Sequence, residues 1–239
     1  MDHKVSRWPF VVFGNSTSVQ FDHDNILLGE ESPPLKDEVF SKIDPVQIKI
    51  SGSQVSIINM INHDTKHHLD SADQLIDQLM HDNEISAFIF VVRLGQLTDA
   101  DKMSLEWLQR VFGDSVLQFV MILFTYERKE ESDSIIDDLK KNTVEEKLVK
   151  KCGGRYHICS KTMNNQSEMS ELMRKIDHLS NENQDKYYTE QMYSTQLRER
   201  KKQKKNAVRR NALTRGHTEK EIELLMARWL QLASDRNGG

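Results

Sequence analysis

The sequence predicts an α/β fold, a mostly parallel central sheet with helices on both faces, followed by a helical extension. Two observations lead there. The runs "SAFIFVVRL" (86–94) and "VLQFVMILFT" (116–125) are almost continuously apolar, as strands are when both faces of a sheet are covered. Longer stretches with apolar residues at helical spacing lie between and after them, so strands and helices alternate along the chain. Sheets of this kind bind ligands beyond the carboxyl ends of their strands. The loops of interest are therefore 14–25, 59–68, 93–98, 125–132 and 159–167.

The elements follow in order. "PFVVF" (9–13) reads as a short buried strand, with Pro9 tolerated at its first residue. "VQIKI" (46–50) alternates, "GSQ" (52–54) turns, and "VSIIN" (55–59) returns, which predicts a hairpin. Leu69, Ala72, Leu75, Ile76 and Leu79 recur at helical spacing over 68–80. After strand 86–94, residues 98–113 read as a helix with Thr98 as N-cap, Asp99 and Asp101 in its first turn, and Gly113 as its stop. Strand 116–125 comes next, then a helix over 132–154 with late lysines and the stop Gly153–Gly154. "RYHICS" (155–160) is a final strand. A last domain helix starts at 167 and is expected to run to about Tyr193.

Bulk properties narrow the function. A chain of 239 residues suits one domain of about 150–200 residues plus an appendage. The net charge of −4 excludes a molecule that is a polycation throughout. Cys152 and Cys159 read as reduced thiols in a cytosolic protein rather than as a disulfide. Zinc would need more ligands than His157 beside them. "MDHKVSRWPF" has no apolar signal core, and no apolar run approaches the length of a membrane span. Neither terminus carries a lipidation box. His63-Asp64-Thr65-Lys66-His67-His68 sets two histidines four apart. With no His-Glu-x-x-His and no nearby cysteine, it reads as a polar loop and no metal site is assigned. Trp107 and Phe112 read as core rather than as ligand-stacking groups.

One block carries more. Residues 85–125 contain Leu94-Gly95-Gln96-Leu97-Thr98, an acidic helix start at Asp99-Ala100-Asp101, then Phe112-Gly113 and Leu123-Phe124-Thr125. This order and spacing resemble the characteristic box of the immunity-associated GTPases, the AIG-type (IMAP) family. "GGRYHIC" (153–159) resembles that family's last-strand segment. The resemblance covers roughly 8–195 and implies a Ras-like G domain of P-loop NTPase fold. It further implies cytoplasmic proteins that bind GTP and Mg, with nucleotide controlling dimerisation or oligomerisation. Residues 8–195 are accordingly assigned to the G domain and 196–239 to the extension.

The resemblance lets the nucleotide site be read position by position. The family's phosphate loop is a Gly, four residues, then Gly-Lys-Ser. Here it falls on Gly14, Asn15, Ser16, Thr17, Ser18, Val19, Gln20 and Phe21, with Gly29 restoring the pattern downstream. Val19 adds a β-branched side chain where backbone should approach phosphate. Gln20 removes the cation, and Phe21 has no oxygen for magnesium. The family's magnesium-side Asp-Thr-Pro-Gly reads Asn59-Met60-Ile61-Asn62. Its guanine-reading acid, three residues after Thr125, is Arg128, and its late asparagines correspond to Ser160 and Lys161. Each lost charge-assisted hydrogen bond removes roughly 1.5–3 kcal/mol. Several together carry a micromolar site to millimolar or to none. The residues thus predict a pseudo-GTPase acting as a protein-interaction or assembly module, without catalytic residues and without tightly held GTP or Mg. The alternative is a weak or non-standard GTP binder, in which Lys66, Arg93 or Arg128 reaches a phosphate from another loop.

The extension is of a different kind. Residues 197–216 hold nine Lys and Arg against the single acid Glu199, a net +8. Residues 217–236 read as a helix with Thr218 as N-cap, Glu221 closing a capping box, and an apolar stripe through Ile222, Leu225, Met226, Trp229 and Leu232. Three readings stand: a hairpin folded onto the acidic domain, a membrane-surface or coiled-coil partner helix, and nucleic-acid binding. The lack of interleaved aromatics argues against the last.

Overall fold

The computed structural model describes residues 9–14, 46–50, 53–61, 76–77, 79–81, 83–126, 143–160, 166–184 and 186–235. The strands are β1 (Phe10–Gly14), β2 (Val46–Ile50), β3 (Ser53–Ile61), β4 (Ala87–Arg93), β5 (Val120–Tyr126) and β6 (Tyr156–Ser160). They form one sheet in the order β2-β3-β1-β4-β5-β6. Only β2 runs antiparallel to its neighbour, in the expected hairpin with β3. The other pairings are parallel. The chain leaves β1 towards one side of the sheet and returns to β4 on the other, so the topological switch lies between these two central strands.

The continuous apolar runs behave as two-faced strands should. Ala87 through Val92 and Val120 through Phe124 are all buried. On one face, Phe10, Val12, Ala87, Ile89, Val91, Met121 and Leu123 pack with Leu172, Ile176 and Leu179. Those last three lie on the helix Gln166–Glu182. On the other face Phe88 meets Phe112 edge-on, with ring centroids 5.1 Å apart. Phe112 closes helix α1 (Asp99–Phe112). Helices thus cover both faces, as the alternation predicts.

Local chemistry fixes α1 where the sequence places it. The Asp101 N–H donates to the Thr98 hydroxyl oxygen at 3.2 Å, and the Asp101 carboxylate accepts from the Thr98 N–H at 2.8 Å. This reciprocal capping satisfies two of the helix's open donors. Helices α2 (Thr143–Lys151), α3 (Gln166–Glu182), α4 (Glu190–Thr214) and α5 (Glu219–Asp235) follow. Residues 76–77 and 79–81 are helical, in keeping with a helix ending near 80; residues 68–75 and 132–142 of the expected helices lie outside the described residues. Cys152 and Cys159 are free and buried.

Three expectations are corrected. First, residues 116–119 are not strand. Asp114–Phe119 forms a 3-10 helix, and β5 begins at Val120. Arg155, at the entrance to β6, is the cause that periodicity hides. Its guanidinium donates to the Leu117 carbonyl at 2.6 Å, which thereby finds a partner without a ladder, and its Nε to the carbonyl of Val120, where β5 starts, at 3.1 Å. Second, the last domain helix does not run unbroken to Tyr193. It stops at Glu182, Gln184 adopts a positive φ of 58°, and a new helix begins at Glu190. Between them Tyr188 forms a two-hydrogen-bond bridge with Ile85, just before β4. Its ring lies edge-on to Phe88, Phe112 and Phe119, and its hydroxyl donates to the Phe112 carbonyl. A continuous helix could not place Tyr188 there. Third, β3 continues two residues past Asn59. Met60 and Ile61 pair with Phe13 and Gly14 of β1.

The chain divides into two compact units, Met1–Glu190 and Gln191–Gly239. In the second, α4 ends in a Schellman turn. The His217 N–H donates to Ala212 O at 3.1 Å and Gly216 N–H to Leu213 O at 2.9 Å, with Gly216 at φ 82°. Thr218 and Glu221 then form the expected capping box for α5.

The Tyr188 anchor gives a direct stability test. Tyr188→Phe keeps the ring and removes one buried hydrogen bond, for an expected loss of about 1–2 kcal/mol in urea denaturation. Tyr188→Ala empties the aromatic cluster and should cost about 3–5 kcal/mol.

Candidate functional site

The five parallel strands end along one edge, and this edge positions the candidate site. From one side to the other it presents the ends of β3, β1, β4, β5 and β6. At the usual strand spacing these ends span about 19 Å. Four of the sequence-predicted positions are described. Gly14 is the last residue of β1 and pairs with Ile61 of β3 and Val91 of β4. Asn59 lies inside β3, opposite Val12. Thr125 is buried in β5, and Ser160 ends β6 opposite Tyr126. Asn15, Ser16, Thr17, Ser18, Val19, Gln20, Phe21, Asn62, Arg128 and Lys161 lie outside the described residues, as do Lys66 and the cluster His63–His68.

Gly14 has a purely structural explanation. A Cβ built there would stand 2.8 Å from the Val91 carbonyl oxygen of β4, closer than real Cβ contacts come. Backbone cannot yield as a flexible side chain can, so the close approach of β1 and β4 itself demands glycine. Its presence therefore requires no phosphate.

At the magnesium-side position the backbone of β3 is paired with β1 up to Ile61. In the family pattern a proline and a glycine would stand at Ile61 and Asn62. Proline lacks the N–H of a ladder and is avoided inside sheets. With isoleucine there, β3 stays in register with β1 to Ile61.

On the far side of the switch, Arg93 ends β4 opposite Thr125. The Thr125 carbonyl accepts from the Leu94 N–H at 2.9 Å, and a turn at Leu94–Gly95 leads to the Thr98 cap. Arg93 is half-buried and already engaged within the protein.

Beside this turn lies a residue that the sequence does not single out. Glu145, in the first turn of α2, is only 1% exposed. Neither carboxylate oxygen makes a hydrogen bond. Burial raises its pKa; the Gly95 backbone amide, aimed at the carboxylate but outside hydrogen-bond geometry, offsets this only in part. In sequence, Glu145 and Glu146 look like two solvated acids at a helix start, and no pattern distinguishes them. An acid in this place offers no attraction to a phosphate. Among the described residues, no group of three His, Cys, Asp or Glu is arranged to hold a metal ion.

His157 of β6 is buried as well, and its Nε2 makes no hydrogen bond. Burial, reinforced by Lys175 and Arg174 and opposed by Glu171, lowers its pKa from 6.5 to about 4. The ring is neutral in the folded protein near neutrality, whereas an unfolded chain binds a proton below pH 6.5.

Two measurements check these points. Gly14→Ala should cost about 1–3 kcal/mol by urea denaturation with no nucleotide present, because the clash is with β4. Folding stability should decline as pH falls from about 6.5 towards 4, by up to roughly 3 kcal/mol from His157 alone. Comparing wild type with His157→Gln across that window isolates this contribution.

The comparisons with known proteins fit this geometry. Residues 24–207 match the AIG1 family. Over 108 residues the chain is 30% identical to GTPase IMAP family member 8 of Homo sapiens, a match covering 44% of this chain and 16% of that protein. With the Mus musculus protein of the same name it shares 34% over 77 residues, covering 30% of this chain and 11% of the relative. The matches thus span under one-fifth of these relatives' length. Among solved structures, a dimerisation-deficient mutant of Toc33 from Arabidopsis thaliana aligns with a TM-score of 0.51 at 15% identity, over 75% of this chain and 86% of that one. That likeness shows a P-loop GTPase fold. With more than half of its length matched by one family, and with the fold to suit, the chain belongs to the AIG1 family of immunity-associated GTPases.

Proposed function

We propose that this chain is a pseudo-GTPase of its family: a G domain over 8–195 that has lost tight binding of GTP and Mg and serves as a protein-interaction or assembly module. The observation that carries the reading is the phosphate loop kept in spacing but stripped of its grip, with Val19, Gln20 and Phe21 at the glycine, lysine and serine positions. Asn59, Arg128, Ser160 and Lys161 depart from the pattern at three further places. The local geometry supports it from another direction. Gly14 answers to the sheet, β3 runs through the place where a proline would interrupt its ladder, and the acid beside the β4 turn is Glu145, buried without a partner.

The partners in this reading are proteins, including copies of the chain or other family members, in the cytoplasm. The Toc33 neighbour is described as a dimerisation-deficient mutant, which makes assembly a property of one protein with this fold. Proteins of the family are named GTPases, so a weak or non-standard GTP binder is the competing reading.

Titration with a fluorescent GTP analogue and Mg separates the two. The expected outcome is no saturable binding at micromolar concentration, and micromolar affinity would contradict the proposal. The triple variant Val19→Gly, Gln20→Lys, Phe21→Ser should still fall short of full affinity, because Asn59 and Arg128 remain.

A further inference from the structure

The basic run is the largest charged feature that the G domain's reading does not absorb. It lies on α4, which continues to Thr214. Arg198, Lys201, Lys202 and Lys205 follow one another at i, i+3, i+4 and i+7, so they share one face of the helix. All four are exposed, and Lys201 through Asn206 are exposed around the whole circumference. One guanidinium nitrogen of Arg209, Nη2, donates to both carboxylate oxygens of Glu219, at 2.8 and 2.9 Å. Lys201, Lys202, Lys205, Arg210 and Arg215 make no ion pair with any described residue. Like charges at i, i+3 and i+4 destabilise a helix. This one carries Arg198 against Lys202 and Lys201 against Lys205, with Glu199 as the only acid in the segment 197–216.

Close in sequence to this cationic face are exposed large apolar side chains. Leu213 near the end of α4 is 47% exposed, and Leu224 and Leu225 in the second turn of α5 are 66% and 42% exposed. Ala212 and Ile222 are buried. The joint between the helices is thus closed, while leucines on either side of it face outwards. No described helix is long and apolar enough to cross a membrane.

We propose that α4 and α5 form a peripheral binding surface for anionic phospholipid. The cations of α4 would meet the headgroups, and Leu213, Leu224 and Leu225 would enter the boundary with the acyl chains. Basic and apolar residues together match that boundary, where charge attraction and apolar burial add. A nucleic-acid phosphate backbone would use the lysines but leave the leucines in water. The segment 197–216 also offers no aromatic side chain on which a base could stack. This proposal uses none of the residues on which the nucleotide-site reading rests, so the two stand or fall apart.

The test is co-sedimentation of the full chain with phosphatidylcholine vesicles, with and without phosphatidylserine, at physiological ionic strength. Binding is expected only with phosphatidylserine, and it should weaken steeply at high salt. Each Lys or Arg near such a surface multiplies partitioning by about fivefold, so Lys201→Gln, Lys202→Gln, Lys205→Gln together should weaken binding by about a hundredfold. Circular dichroism checks that the helix persists in that variant. Leu224→Ser with Leu225→Ser should weaken binding while leaving its salt dependence. Equal binding to pure phosphatidylcholine, undiminished binding by the lysine variant, or tighter binding to single-stranded RNA than to the anionic vesicles would overturn the proposal.

Discussion

At Gly14 the central strands of the sheet come so close that a Cβ would stand only 2.8 Å from the Val91 carbonyl oxygen. Much follows from that contact. It joins β1 to β4 at the topological switch, and β1 also carries β3 on its other side. Gly14 thus sits where three of the five parallel strands, β3, β1 and β4, run side by side. Loops that leave the ends of such strands take their position from the sheet rather than from one another. A glycine demanded by the sheet would be kept whether or not a phosphate lay above it.

On the proposed reading, a separation of scaffold from site would let the family's fold outlast its chemistry. The forces that hold the sheet are apolar burial of β1, β4 and β5 between α1 and α3, and the aromatic cluster around Tyr188. Tyr188 bridges Ile85, which precedes β4 and so lies at the opposite end of that strand from Arg93. These contacts are made by strand and helix residues of the sheet's two faces. At Asn59-Met60-Ile61 the β3 ladder with β1 runs to Ile61. A fold may host a site or lose it, and only the site's own residues speak for function.

How much of this was legible in the sequence depended on the range of the interactions. Strands β1, β2, β4 and β6 and the caps of α1 and α5 were readable, because apolar runs and Thr-x-x-Asp or Thr-x-x-Glu spacing are local signals. The start of β5 was not, because it depends on Arg155, which reaches the Leu117 and Val120 carbonyls from more than thirty residues away. The break after Glu182 was hidden for a similar reason: Tyr188 looks helical until its partner Ile85, about a hundred residues earlier, is known. At the site, Gly14 was found by motif spacing, yet its physical cause lies across the sheet in Val91. Glu145 was invisible, because an acid in a first helical turn normally faces water.

The central proposal is that this G domain has lost tight binding of GTP and Mg while keeping the fold. Thermal unfolding of the purified chain with and without millimolar GTP and Mg tests it most directly. A ligand present at a hundred times its dissociation constant stabilises the folded state by about 2.7 kcal/mol, which raises the midpoint by several degrees. The account predicts the same midpoint with and without nucleotide. A rise of several degrees that depends on Mg and is specific to GTP would contradict it.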